Sequence, residues 1–256
     1  MNLELDGKIA LVAGAGRGTG RAVALTLARE GADVALLART TAELDATAAE
    51  IRALGRRAAP IAVDLADDAA RDAALARARE ELGPPTLLVL AAAALFRPTK
   101  LHNLALADID KLLSIDLRAA VALCRALLPD MLAARHGRVV ALGSLAARGG
   151  VPGGPLYATA KAALEGLTRG LSLDYARYGI TANTVSIAFV DSERLATRTD
   201  GDPAARERLV RATAARRIPT PAEIADVVAF LCSARASAIT GAVVEVTAGA
   251  HLNNLW

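Results

Sequence analysis

Residues Lys8 to Gly20 read KIALVAGAGRGTG, and RAVALTLARE follows from Arg21 to Glu30. Lys8 to Ala13 is a short apolar run that reads as a buried strand, while Arg21 to Glu30 carries a helical pattern. The glycine-rich turn therefore joins a strand to a helix. Its glycines fit G-x-x-x-G-x-G through Gly14, Gly18 and Gly20; a G-x-G-x-x-G reading begins at Gly14 and Gly16 but lacks its third glycine. Such a turn, here enclosing Arg17 and Thr19, brings backbone at a helix N-terminus close to a pyrophosphate.

Working outward, strand and helix patterns alternate to the end of the chain. Strands are expected at 33–38, 58–63, 86–90, 138–142, 181–186 and 242–246, and helices at 41–54, 69–82, 106–135, around Tyr157 and at 222–233. Pro129, inside the long 106–135 zone, is expected to kink or divide it. The alternation predicts an α/β fold in one domain, a doubly wound parallel sheet with helices on both faces. A chain of 256 residues suffices for the core of such a domain.

The chemistry concentrates in Ser144–Lys161, SLAARGGVPGGPLYATAK. Tyr157 and Lys161 stand four residues apart, which on a helix puts both on one face. A phenol titrates near pH ~10 and is a poor proton donor at neutrality. A neighbouring ammonium favours the phenolate and makes such a group usable. Ser144, at the end of the apolar run Arg138–Leu142, is placed to hold a carbonyl oxygen against the tyrosine. This is a proton-transfer device for alcohol and ketone chemistry, and the glycine turn points to the hydride source.

On these motifs the chain resembles a divergent short-chain dehydrogenase/reductase over nearly its whole length. Further similar pieces are Asp64-Leu65, Gly179-Ile180-Thr181-Ala182-Asn183, Pro221-Ala222-Glu223-Ile224-Ala225, Phe230-Leu231 and Ile239-Thr240-Gly241. The resemblance implies a Rossmann-type domain and a nicotinamide cofactor. The activity it implies interconverts a ketone and a secondary alcohol, with the proton from Tyr157 and with Lys161 also binding the nicotinamide ribose. Asp64 would contact the adenine and Leu65 would add backbone contacts. Ala91 would lie beside the cofactor, and Val190 and Ser192 would meet the carboxamide. The second strand ends Leu37-Ala38-Arg39-Thr40 without the carboxylate that would select an adenosine ribose hydroxyl. With Arg39 there and Arg17 in the glycine turn, NADP(H) is the expected cofactor and NAD(H) the alternative.

Four departures from the family pattern stand out. Leu90-Ala91-Ala92-Ala93 replaces Asn-Asn-Ala-Gly, and Asp116 replaces a catalytic-tetrad asparagine. Ile187-Ala188 replaces Pro-Gly, with Ser192 for the usual threonine, and Thr247-Ala248-Gly249 replaces Asp-Gly-Gly. Asp116 keeps the main-chain carbonyl that a water-linked relay to Lys161 would use, and its carboxylate could pair with Lys161 through water. Two other functions stay open: an enoyl or imine reductase on the same scaffold, and a catalytically impaired cofactor-binding or scaffold protein. Enoyl reductases of this superfamily commonly space tyrosine and lysine more widely, which speaks against the first. The intact Ser144, Tyr157 and Lys161 speak against the second.

Hydrophobic residues make up 54% of the chain and aromatics 3%, so the core must be Ala, Val, Leu and Ile. A formal charge of +3, with no basic cluster interleaved with aromatics, speaks against a nucleic-acid surface. Cys124 and Cys232 give no disulfide framework or metal spacing and are expected to be buried thiols. No apolar run reaches ~18 residues, so a membrane span is not expected and a cytoplasmic enzyme is. His102 and His136 lack partnered ligands in the sequence, and His251, near the C-terminus, reads either as a surface residue or as one that reaches the site or a neighbouring subunit. Trp256, the final residue, reads as a frayed end or as a contact with another subunit. Phe96, Leu145, Ala146, Pro152, Phe189 and Leu195 are the expected lining of an apolar substrate pocket, and the arginine-rich segment 191–217 is the expected mobile lid. The resemblance further implies a homotetramer joined through the helices at 106–135 and 157–178. Leu113, Leu117, Val121, Leu128, Leu164, Leu167 and Leu171 are the apolar positions available for that contact.

Overall fold

The computed structural model describes residues 3–94, 97–199 and 201–252. Phe96 and Trp256 lie outside the described residues. The elements alternate as β1 (Ile9–Ala13), α1 (Gly18–Arg29), β2 (Asp33–Ala38), α2 (Thr41–Ala53), β3 (Ala58–Ala62), α3 (Asp68–Leu82) and β4 (Leu87–Leu90). There follow α4 (Leu106–Leu113), α5 (Ala119–Ala134), β5 (Gly137–Leu142), α6 (Ala146–Gly149), α7 (Pro155–Tyr175) and β6 (Ile180–Ile187). The chain then forms α8 (Glu193–Arg198), α9 (Pro203–Arg211), α10 (Pro221–Cys232) and β7 (Val243–Val246). All seven strands are parallel, in the order β3-β2-β1-β4-β5-β6-β7.

The aliphatic strands are continuous runs because the sheet is covered on both faces. Alternate residues of each strand enter two separate cores. Ala10 and Val12 of β1, Val34 and Leu36 of β2, and Val140 and Leu142 of β5 pack with α1, α2 and α10. Their neighbours Leu11, Ala13, Ala35, Leu37, Val139 and Ala141 pack with α3, α5 and α7. The strand order reverses between β1 and β4. A crevice therefore opens beyond their carboxyl ends, where doubly wound folds hold their ligands.

Two expectations about the helices are corrected. Pro129 does not divide the long helix but lies inside α5. It sits on the exposed face with Arg125, four residues back, where a carbonyl that loses its N–H partner can turn to water. The irregularity falls earlier, where the helix runs on through a π-turn over Ser114–Arg118, whose closing Ala119 N–H donates to the Ser114 carbonyl. Leu128, Leu164 and Leu171 are not free for another subunit, because all three are buried in this chain's own core.

Segment 191–217 contains α8 and α9. Arg206 holds Asp191 in a two-pronged ion pair at 2.9 and 2.7 Å. Leu195 and Thr213 of the segment are buried, and the Ala215 N–H donates to the Ala248 carbonyl. Both cysteines are buried free thiols, and burial pushes each up to about 12.

Candidate active site

The glycine turn is shaped by contacts that tolerate no side chain. Gly14 has φ +89°, and a Cβ on it would fall 2.7 Å from the Ala92 backbone nitrogen at the end of β4. A Cβ on Gly20 would collide with the Gly14 carbonyl oxygen. The Gly14 and Ala15 N–H groups both donate to the Leu37 carbonyl, tying the turn to the end of β2. Arg17 precedes α1 in extended conformation, and no side chain caps the helix. Among the described residues, no side chain accepts from the first N–H groups of α1, those of Gly18, Thr19 and Gly20. Close backbone approach together with an uncapped helix start fits a dinucleotide pyrophosphate.

At the end of β2, Arg39 is exposed and makes no hydrogen bond or ion pair among the described residues. Asp64 is exposed after β3, and one of its oxygens accepts the Ala66 N–H at 3.0 Å, holding its own turn. Leu65 is buried, and its carbonyl accepts a hydrogen bond from the buried Arg71 at 3.0 Å. Arg71 also meets Asp68 at 2.7 Å, and Asp68 in turn meets Arg118 of the π-turn. The turn after β3 and the π-turn are thereby linked by a network that the sequence reading missed. Only the i,i+3 spacing of Asp68 and Arg71 hinted at it.

Ser144, Tyr157, Lys161 and Asp116 lie on β5's end, the π-turn and α7. Ser144 follows β5, where Gly143 and Leu145 donate to the Val185 and Ile187 carbonyls and extend the sheet past the strand. Ser144 is 7% exposed, and its oxygen accepts the Ala146 N–H at 3.2 Å, which leaves its own proton to donate. Pro155 starts α7 where no N–H is needed, so Tyr157 stands in the first turn and Lys161 one turn further. The Lys161 ammonium lies 5.7 Å from the centre of the Tyr157 ring. It also donates to the Leu142 carbonyl at 3.4 Å.

Asp116 is reached directly. Its Oδ2 is 3.3 Å from Lys161 Nζ, and its Oδ1 accepts the Ala94 N–H at 2.6 Å. The expected pairing through water is therefore replaced by contact, because the π-turn swings this residue inward and the alanines after β4 leave room. The pair is an ion pair without hydrogen-bond alignment at Oδ2. Ala91 is half-buried at the end of β4, between this group and the glycine turn. After β6, Phe189, Val190 and Ser192 are half-buried, and the Ser192 hydroxyl donates to the Val190 carbonyl at 3.3 Å. Among the expected substrate residues, Leu145, Ala146 and Leu195 are buried while Pro152 is exposed. The Thr99 N–H donates to the Gly153 carbonyl at 2.7 Å, closing the loop after β4 onto the loop before α7.

The histidines stand apart from this group. His102 is exposed in a short 3-10 turn, and His251 is exposed with Nδ1 2.7 Å from the Thr247 hydroxyl. Among the described residues, no group of acidic, histidine or cysteine side chains is arranged to hold a metal.

Residues 14–251 match the profile of a family described as enoyl-(acyl carrier protein) reductase. The chain is 35% identical over 251 residues to a 3-oxoacyl-[acyl-carrier-protein] reductase of Pseudomonas aeruginosa, covering 98% of this chain and all of that one. It is 37% identical over 245 residues to the short-chain reductase protein NovJ of Streptomyces niveus, covering 94% and 93% of the two chains. Among solved structures, a 3-oxoacyl (acyl-carrier-protein) reductase from Agrobacterium tumefaciens with NADP bound superposes with a TM-score of 0.91. The two are 32% identical over 97% of this chain and 96% of that one. L-sorbose reductase from Gluconobacter frateurii, complexed with NADPH and L-sorbose, gives a TM-score of 0.91 at 27% identity over 99% and 100% of the chains. The chain belongs to the short-chain dehydrogenase/reductase family, and it is an oxidoreductase of the class acting between alcohols and carbonyls.

Proposed function

We propose that this protein is an NADP(H)-dependent ketoreductase, interconverting a ketone and a secondary alcohol. The observation that carries this reading is the grouping of Ser144, Tyr157 and Lys161 around the carboxyl end of β5, beside the glycine turn. The relatives support the cofactor, since a similar reductase is solved with NADP and another with NADPH. Arg39, exposed and without a partner among the described residues, is suited to a 2′-phosphate.

The nicotinamide supplies hydride transfer when bound; the chain's own residues handle the proton. The Ser144 hydroxyl, whose oxygen already accepts the Ala146 N–H, donates its proton in a hydrogen bond to the substrate carbonyl oxygen. Tyr157 gives that oxygen the proton that makes it an alcohol. Lys161 stabilises the negative charge left on the phenolate, and the Leu142 carbonyl and Asp116 hold the lysine in place. Val190 and Ser192 border the carboxamide side, with Asp64 and Leu65 on the adenine side. Segment 191–217 would cover the substrate as a lid, and Leu145, Ala146, Phe189 and Leu195 would face it as that lid closes. We also propose a cytoplasmic location and a homotetramer.

Tyr157→Phe keeps the ring and removes the transferable proton. Ketone reduction should fall at least ~100-fold while cofactor binding changes little. Near-normal turnover by the purified variant on its best ketone would overturn the assignment. The matched profile, described by enoyl reduction, gives a second reading. A paired panel of ketone and enoyl substrates separates the two, with turnover expected on the ketones.

A further inference from the structure

β2 ends at Ala38 without a carboxylate, and a carboxylate of another element lies close to that end. Glu43, in the first turn of α2, carries a half-buried side chain that accepts no hydrogen bond among the described residues. A Cβ placed on Gly16 would lie 2.7 Å from Glu43 Oε2 and 3.3 Å from the Ala38 Cβ. One point in the glycine turn thus touches both the strand end that usually bears the ribose-reading acid and the carboxylate of Glu43. Arg17 in the same turn lies 4.0 Å from Glu43 Oε1, at the outer limit of an ion pair. A side chain on Gly16 would displace the carboxylate.

We propose that Glu43 is the specificity-determining acid of the adenosine ribose site. It stands in for a carboxylate at Ala38 and opposes Arg17 and Arg39 in the choice between NADPH and NADH. A carboxylate here accepts a hydrogen bond from a ribose 2′-hydroxyl and repels a 2′-phosphate, whereas the two arginines attract the phosphate. The site is balanced, and Glu43 keeps NADH within reach of an enzyme that otherwise prefers NADPH. The inference rests on the cofactor proposed above.

The test measures dissociation constants of NADPH and NADH by fluorescence titration for the full chain and three variants. Glu43→Gln keeps size and removes charge, and NADPH should bind about tenfold more tightly, the scale of deleting one like charge near a surface. NADH should change by less than about threefold, because the amide oxygen still accepts a hydrogen bond. Glu43→Lys should move the NADPH preference further in the same direction. Arg39→Ala should reverse it, weakening NADPH much more than NADH. An unchanged preference in both Glu43 variants, or weaker NADPH binding in Glu43→Gln, overturns the proposal; the latter would show that Glu43 orients Arg17 towards the phosphate. Failure of the unaltered chain to bind either cofactor would instead overturn the cofactor reading itself.

Discussion

Asp116 shows how much a single side chain decides here. Its carboxylate has no exposure, and it meets Lys161 at 3.3 Å and the Ala94 N–H at 2.6 Å. Asp116→Ala strands a buried ammonium and an amide together, and such losses cost about 3–5 kcal/mol. Urea unfolding should show that loss, with activity falling alongside. Asp116→Asn keeps the acceptor for Ala94 and the size of the side chain but removes the negative charge, so it isolates the cost of leaving Lys161 without a counter-ion. Parent-like stability of Asp116→Asn would contradict the counter-ion role. The sequence marked this position because an aspartate stands where the family has asparagine. It could not show direct contact, because that depends on the π-turn and on the room left by Ala91–Ala93.

At the scale of elements, strain and titration are local. Ala248 has φ +52°, where the family pattern carries glycine, and a Cβ in the left-handed region is unfavourable. Ala248→Gly relieves the strain and adds some chain entropy to the unfolded state. The net expectation is a gain of about 0.5–1 kcal/mol, measurable as a higher urea midpoint; a lower midpoint would show that the turn is not strained. His136, between α5 and β5, is pushed down to about 4 by burial, aided by the charges of Arg138 and Lys8. The unfolded chain therefore takes up a proton that the native one refuses. This contribution to stability is full above pH 6.5 and is lost as pH falls from 6.5 to about 4. In His136→Gln the fall in urea midpoint between pH 7 and pH 5 should be shallower than in the parent chain. An equally steep fall would assign the slope to other groups.

The whole molecule presents faces that its own core does not use. Val121 is 44% and Leu173 87% exposed, and Leu113, Leu117 and Val121 line a surface groove of about 410 Å³ with Asp110, Ser114 and Arg118. On α7, Gly166 and Gly170 have nothing within 4 Å of where a Cβ would stand, which leaves that helix open to close approach. We expect a closed homotetramer with two-fold axes packing α4, α5 and α7 against their mates. Light scattering at micromolar concentration should give four times the chain mass, and Val121→Glu with Leu117→Glu should lower it. A fully active monomer would refute the expectation. The sequence by itself determined the alternation of strands and helices, the glycine turn and the spacing of Tyr157 and Lys161. These depend on local periodicity and backbone freedom, which neighbouring residues carry. Tertiary structure alone decided the contacts between distant segments. It carried the long helix past Pro129 and placed a π-turn at Ser114–Arg118, drew Asp116 onto Lys161, linked Arg71 to Arg118 through Asp68, and set Glu43 against Gly16. The last three join residues far apart in the chain, and their meeting depends on how helices lie across a sheet, which no local pattern encodes.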